Sequence, residues 1–135
     1  MKKITIIGMG IFALATWFLT SNNNNHAIII KHIEVGAIEE LATFFDEDIL
    51  LFLPYGMVLD NAEHAKRELA NFFEQNPPKS FKVKHSGDSK SHSSNYFIGV
   101  LQTDQNLFLL TIMMANDKIE TFTIEEEEKV DFSAL

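Results

Sequence analysis

Five histidines are the residues of this sequence most suited to acid–base or metal chemistry, and their spacing limits what they can do. They are His26, His32, His64, His85 and His92. No two of them stand four residues apart, and there is no HExxH motif. Two ligands on adjacent turns of a helix are therefore missing, and the sequence predicts no metal site and no cofactor.

His85 is the histidine with the clearest chemical context. It follows Phe81 and Val83 in a stretch where apolar and polar residues alternate, and this alternation predicts that the three side chains share one face of a strand. A buried His beside a carboxylate can act as a general base near neutral pH. The alternative, which base rates favour, is a hydrogen-bonded structural His at the strand end before Gly87.

Three lysines, Lys79, Lys82 and Lys84, form a basic cluster, and the same alternation places Lys82 and Lys84 on one face of the strand. They can meet an anionic ligand or partner. A solvated strand edge that protects the sheet from aggregation explains them equally well. The run from Glu125 to Glu128 is typical of a solvated strand end.

The composition of the 135-residue chain excludes several classes of function. Its formal net charge is −8, and 46% of its residues are hydrophobic. The acidic balance argues against a nucleic-acid partner, because phosphate binding needs a surplus of Lys and Arg on one face. The absence of cysteine excludes a disulfide scaffold, thiolate chemistry and a lipid anchor attached through Cys. The sequence therefore describes one small acidic domain.

Residues 1–21 have the pattern of a secretory signal peptide. Lys2 and Lys3 precede an uncharged run from Ile4 to Leu19, as the n-region precedes the h-region. We expect cleavage between Ser21 and Ala27, with residues 22–26 as a polar spacer, and export to the periplasm or cell envelope. The alternative is an uncleaved anchor that contacts the membrane through residues 4–19. Without the two lysines, nine basic residues face nineteen acidic ones, a net charge of −10.

The hydrophobic periodicity of the remaining chain indicates both helices and strands. Residues 26–45 have helical spacing that Gly36 interrupts, and another helix runs from a capping box of Asp60 and Glu63 to Pro77-Pro78. Asn116-Asp117 is a tight hairpin signal. Strands are predicted at residues 49–53, 57–59, 79–85, 95–103, 107–115 and 118–126, with a loop at 87–94. This order predicts an α+β fold with helices on one face of an antiparallel sheet.

One stretch is specific enough to indicate a family. Residues 72–87 read FFEQNPPKSFKVKHSG and resemble the bacterial domain of unknown function 4783 family of small exported proteins. The segments that begin at Gly36 and at Asn95 (NYFIG) are similar to further elements of that family, in the same order. The resemblance implies a domain at residues 27–128, a tail at 129–135, and the cone-shaped nuclear-transport-factor-2-like (cystatin-like) fold.

That fold is a curved sheet wrapped around N-terminal helices, and the resemblance implies a pocket at its wide end. Enzymes of this superfamily sometimes use an Asp or a Tyr to remove a proton beside a carbonyl group, so Asp46 and Tyr96 join His85 as weak catalytic candidates. No pair among them has a spacing that singles out an acid and a base, and no catalytic residue is assigned. The residues expected to line the pocket are Phe52, Phe72, Phe81, His85 and Tyr96.

The strand from Leu107 to Met114 is apolar on both faces. A sheet open to water on one side would alternate there, so a helix, a ligand or another subunit must cover the second face. The family carries basic and aromatic residues in this strand, so a family ligand need not be shared. We expect a homodimer through the sheet face, to which Met113 and Met114 bring an adaptable contact.

These observations favour an exported, non-catalytic domain that binds a small apolar ligand or a protein partner in the cell envelope. The family has no assigned reaction, so the resemblance supplies fold and location rather than catalysis. The alternative is a small lyase, isomerase or hydratase in which His85, with Tyr96 or an Asp, acts as general base in the pocket.

Overall fold

Residues 24–89 and 93–127, the part of the chain that this computed structural model describes, form three helices and six strands. The predicted signal peptide at 1–21, the tail at 129–135 and His92 lie outside it. None of the helices described is long and apolar enough to cross a membrane. The helices are α1 (Asn24–Val35), α2 (Ile38–Ala42) and α3 (Ala62–Gln75). The strands are β1 (Phe45–Leu53), β2 (Gly56–Val58), β3 (Ser80–Ser89), β4 (Ser94–Gln102), β5 (Leu107–Ala115) and β6 (Lys118–Glu126).

The predicted break at Gly36 is confirmed, and the backbone explains it. Gly36 has a φ of +70°, a left-handed conformation that glycine adopts without a steric penalty. The N–H groups of Gly36 and Ala37 donate to the carbonyl oxygens of Ile33 and His32, which is the Schellman arrangement that ends a helix. α1 begins at Asn24, so the last three residues of the predicted spacer are helical.

The start of α3 differs from the predicted capping box. Asn61, not Asp60, is the N-cap, and its side-chain oxygen accepts a hydrogen bond from the backbone N–H of His64 at 2.8 Å. Asp60 lies one residue outside the helix, where its carboxylate accepts from the Asn61 N–H and from the His64 ring. Asn and Asp are equally good N-caps, so the spacing of Asp60 and Glu63 did not distinguish Asp60 from its neighbour Asn61 as the N-cap. The helix ends before Pro77-Pro78, as predicted.

The six strands form one sheet in the order β2-β1-β6-β5-β4-β3. The α+β prediction is confirmed, and every neighbouring pair is antiparallel except β1 and β6, which are parallel. Asn116 and Asp117 both have positive φ in the two-residue turn between β5 and β6, as the hairpin signal predicted. β1 begins at Phe45 rather than at residue 49, and β3 continues through residues 87–89, which were predicted as loop.

The hydrophobic core lies between the helices and one face of the sheet, here called the inner face. Alternate residues of β4 and β5 are buried there. Helix α3 packs on β1, β2 and β5, and helix α1 packs on β3 and β4. Ile29, Leu69 and Phe72 supply the helical side. The opposite side of the sheet, the outer face, is not covered by any of the helices described. The fold therefore protects one sheet face and leaves the other available.

Candidate functional site

An irregularity in β3 decides where His85 lies. Val83 pairs with Gly99 and His85 pairs with Ile98, so Lys84 is an extra residue that bulges from the ladder. Side chains alternate between faces, and one extra residue reverses the alternation. Phe81 and Val83 are therefore on the inner face and His85 on the outer face. The prediction that the three share one face is wrong, and His85 is exposed rather than buried.

On the outer face, His85 meets the second predicted candidate, Tyr96. The Tyr96 hydroxyl and His85 Nε2 are 2.8 Å apart and share a hydrogen bond. The Tyr96 ring lies directly over Gly87, where a Cβ atom would come within 2.7 Å of the ring. Two of the candidate residues chosen from the sequence, His85 and Tyr96, are therefore in direct contact. The pair lies at the solvent surface, however, and not in a buried pocket.

A second glycine–aromatic contact lies on the inner face of the same two strands. The Phe81 ring covers Gly99, where a Cβ atom would come within 2.5 Å of the ring. The β3 motif therefore supplies one ring and one glycine, and the β4 motif supplies the matching glycine and ring. These are the residues on which the family resemblance depended, and they interlock two strands rather than assemble a chemical site.

The other predicted pocket residues are separated from His85 and Tyr96. Phe72 is 2% exposed, with its ring centroid 5.0 Å from that of Phe108 in an edge-to-face contact. A side chain so fully covered is part of the core and cannot line an open pocket. Phe52 points to the outer face, where it lines a groove of about 390 Å³ at the end of β1 and β6. The five residues thus do not share one pocket in the part of the chain described.

Asp46 is also remote from the other catalytic candidates. It lies in β1, where its carboxylate accepts a hydrogen bond from the backbone N–H of Asp48 at 2.9 Å. β1 and β3 are four strand positions apart, which corresponds to about 19 Å. Asp46 therefore does not act on His85. Among residues 24–89 and 93–127, no three His, Asp or Glu side chains lie close enough to hold a metal ion.

The pKa shifts of charged side chains come from surface contacts of α3. The hydrogen bond from His64 is the main cause that lowers the pKa of the Asp60 carboxyl. The Glu39 carboxylate, 2.8 Å from the Lys66 amine, raises the pKa of Lys66. Both contacts lie at the surface of the domain. They tie the helix to its surroundings and do not prepare an acid or a base for catalysis.

The outer face of the four central and edge strands β6, β5, β4 and β3 has an ordered pattern. Away from the strand ends, its middle is formed by β5 and β4 and is apolar apart from Thr111, and this part of the two strands is here called the apolar strip. β3 borders the strip with basic side chains and β6 borders it with threonines and an acid. Away from the strand ends, the outward residues are Thr121, Thr123 and Glu125 of β6, Leu109, Thr111 and Met113 of β5, Tyr96, Ile98 and Val100 of β4, and Lys82, His85 and Gly87 of β3.

The side chains of the apolar strip have a high exposed fraction for apolar residues, which are normally buried. Met113 is 50% exposed, and the other outward side chains of the strip are half-buried. The sequence predicted an apolar second face from the composition of β5. It did not place Lys82, His85 and Glu125 at the borders of this strip, because their position there depends on strand order and, for His85, on the bulge at Lys84. A strip of this kind is suited to contact with another protein surface.

The fold formed by this sheet and its helices is nuclear-transport-factor-2-like. The chain is similar to an NTF-2 like protein of unknown function from Burkholderia xenovorans, with a TM-score of 0.59 and 11% identity over 81% of this chain and 84% of that chain. It is also similar to a proposed ketosteroid isomerase from Kribbella flavida, with a TM-score of 0.55 and 14% identity over 81% of this chain and 79% of that chain. At such identities the likeness concerns the fold alone.

Within this class, the chain belongs to the family described as Domain of unknown function (DUF4783), whose family model matches residues 26–126. A DUF4783 family protein from Bacteroides uniformis has a TM-score of 0.68 and 21% identity. The similarity covers 75% of this chain and 95% of that chain, so that protein's crystal structure contains little besides this region. No curated protein matches the chain.

Proposed function

We propose that this protein is an exported, non-catalytic binding domain of the cell envelope, and that it works by contact of its outer sheet face with a protein partner. A second copy of the chain is the partner we propose. The observation that carries the proposal is the apolar strip, with Met113 half exposed at its surface. Burying the exposed half of such a side chain contributes about 1 kcal/mol per copy.

A small apolar ligand is the other occupant that the sequence suggested. Between α3 and the sheet, Phe72 packs edge-to-face on Phe108 and is only 2% exposed, which argues against a place for the ligand there. The Phe72 ring therefore occupies part of the space that a ligand would need between the helices and the sheet. This favours a protein partner on the outer face over a ligand between the helices and the sheet.

The proposal is tested by sedimentation equilibrium of residues 24–135 at 5–200 μM protein, a concentration range chosen around a micromolar dimer. We expect a concentration-dependent dimer that Met113→Lys abolishes, because the substitution places a charge in the apolar strip. Val35→Lys is the matched control: Val35 is 57% exposed at the end of α1, away from the sheet. A monomer across the whole range, or equal effects of the two substitutions, contradicts the proposal.

Export is proposed from the leading segment and needs its own test. The full chain is expressed in a Gram-negative host, and the mature N-terminus is determined by mass spectrometry of the envelope fraction. We expect an N-terminus between Ser21 and Ala27, and retention of the unprocessed chain in the cytoplasm when Leu14→Arg interrupts the apolar run. Equal amounts of unprocessed protein in the cytoplasm for both chains would contradict export by this segment.

A catalytic function is the second candidate, and the hydrogen bond between His85 and Tyr96 is the observation that favours it. The similar protein from Kribbella flavida is a proposed ketosteroid isomerase. The reaction to test is therefore the isomerisation of a 3-oxo-Δ5-steroid to its conjugated isomer, measured by the increase in ultraviolet absorbance. We expect no turnover above that of buffer. Turnover that His85→Ala abolishes would replace the binding proposal with an isomerase.

A further inference from the structure

A groove on the helical side of the domain lies apart from the outer sheet face. It is formed where the turn between α1 and α2 meets the end of α3 and Pro77-Pro78, and it is here called the helical groove. Its volume of about 560 Å³ is in the range of ligand-binding sites. We infer that the helical groove binds a short basic segment of another protein, one that carries apolar side chains at its centre. This inference goes beyond the proposed function and does not depend on the dimer.

The lining of the helical groove is largely apolar. Val35 of α1 is 57% exposed there. Further apolar side chains that line the groove are Ala70, Phe73, Pro77 and Pro78. None of these side chains donates or accepts a hydrogen bond, so apolar groups of a partner leave water there without leaving a polar group unpaired. The two prolines belong to the motif that indicated the family, and the proposed function gives them no role.

The charged side chains that line the helical groove are all acidic, and they are Glu39, Glu40 and Glu74. The Glu39 carboxylate is compensated, because it lies 2.8 Å from the Lys66 amine. Glu40 of α2 and Glu74 of α3 are exposed, and neither forms an ion pair within the described part of the chain. Two helices that border the groove therefore each present an uncompensated carboxylate, and this charge is complementary to a cationic partner.

A basic peptide fits these features better than other ligands do. A second copy of the chain brings a net charge of −8, and nucleic acids are also negative, so the two carboxylates disfavour both. A polyamine would satisfy the carboxylates, but it has no branched side chain to bury against the apolar lining. A peptide with aliphatic side chains between two cations satisfies both parts of the groove.

Contacts within the domain hold the walls of the helical groove in place. The ion pair of Glu39 joins α2 to α3. The turn at Gly36 lies against Pro78, where a Cβ atom on the glycine would be 3.4 Å from the proline ring. The backbone N–H and the side-chain amide of Asn76 both donate to the carbonyl oxygen of Phe72, which fixes the end of α3 before the prolines. A preformed site of this kind loses less conformational entropy when a partner binds.

Amide chemical shifts of the ¹⁵N-labelled protein, expressed as the full chain and titrated at low salt with three tetrapeptides blocked at both ends, test this inference. Lys-Leu-Leu-Lys should bind with a Kd of about 1 mM or below and shift the amides of Gly36, Ala70 and Glu74. Lys-Ser-Ser-Lys lacks the apolar side chains and Gln-Leu-Leu-Gln lacks the cations, so each should bind about fivefold more weakly. Equal Kd values for the three peptides, or no shift of these amides at about 5 mM peptide, overturns the inference.

Substitutions of carboxylates by amides test whether the peptide occupies the helical groove. Glu40→Gln/Glu74→Gln should raise the Kd of Lys-Leu-Leu-Lys about fivefold, because two exposed ion pairs with the peptide are lost. The matched control Glu47→Gln/Glu120→Gln removes the same charge from exposed positions of β1 and β6, and it should leave the Kd unchanged. Equal effects of the two double variants overturn the inference. Spermidine that shifts the same amides with a lower Kd than the peptide overturns a peptide as the occupant.

Discussion

Gly99 lies beneath the Phe81 ring, and replacing it with alanine should destabilise the domain. A Cβ atom at this position would be 2.5 Å from Phe81 Cζ and 2.8 Å from the backbone oxygen of Lys82. Distances under 3.0 Å force one of the partners to move. The Phe81 ring is 6% exposed and its centroid is 6.4 Å from that of Phe97, so it has little room to move. The Lys82 oxygen belongs to the backbone of β3.

The magnitude follows from two opposing effects. Extra volume in a packed core costs about 1–3 kcal/mol, whereas removing the freedom of glycine in the unfolded chain returns about 0.4–1 kcal/mol. The net loss in the free energy of unfolding for Gly99→Ala is therefore about 1–2 kcal/mol. For a domain of about 100 residues, this lowers Tm by about 5–15 °C.

Gly56→Ala is the matched control, because a Cβ atom at Gly56 meets nothing within 4 Å and its φ is not in the left-handed region. In thermal unfolding measured by circular dichroism, Gly99→Ala should lower Tm, whereas Gly56→Ala should leave Tm unchanged or raise it slightly. Phe81→Leu should reduce the cost of Gly99→Ala, since the two sites are coupled. A Gly99→Ala variant as stable as the original protein would refute the described packing of β3 on β4.

Three further outcomes are expected. Asn61→Ala should cost about 1 kcal/mol in urea unfolding, and a larger loss for Asp60→Ala would restore the predicted capping box. The hydrogen bond from His64 lowers the pKa of Asp60 below its ordinary value of 3.8. The contact therefore stabilises the folded state above pH 3.8, and this stabilisation is lost as the pH falls through the pKa that Asp60 has in the folded state. We expect the acid unfolding of His64→Ala to lack this pH-dependent contribution. His85→Ala should change Tm by no more than a few degrees, since it removes one exposed hydrogen bond to Tyr96; a larger drop would mark His85 as structural.

The elements that the sequence predicted well are those specified by local chemistry. Gly36 ends α1 through its own backbone conformation, and Asn116 and Asp117 supply the positive φ values of the β5–β6 turn. Pro77 stops α3 because it cannot continue a helix. Each of these features depends on a few neighbouring residues, which is why a single sequence is sufficient to find them.

The candidate site was predicted less well, because its placement depends on pairing between distant strands. Alternation assumes a regular strand, and the bulge at Lys84 is recorded in the register of β3 against β4 rather than in the residues around it. The same bulge places His85, rather than Lys84, opposite Ile98 on the outer face. The parallel pairing of β1 with β6 is likewise a long-range choice, and no local pattern specifies it.

The motif residues that indicated the family pack β3 against β4. Phe81, Gly87, Tyr96 and Gly99 form two reciprocal glycine–aromatic contacts, one on each face of the β3–β4 pair. A sequence that preserves these contacts preserves the fold. It says little about the partner, and this is why family membership and fold could be inferred from residues that carry no chemistry.

Oxidation of methionines by hydrogen peroxide offers a direct measure of which surface the partner covers. Met113 and Met57 have similar exposures of 50% and 61%. Met113 lies in the apolar strip, whereas Met57 pairs with Phe52 and so lies on the same outer face but in β2, at the far edge of the sheet and outside the strip. With the oxidation of each followed by peptide mass spectrometry, we expect Met113 to become protected as the protein concentration rises through the dimer Kd, while Met57 reacts at a constant rate. Equal oxidation of Met113 at all concentrations would contradict a binding function for the outer sheet face.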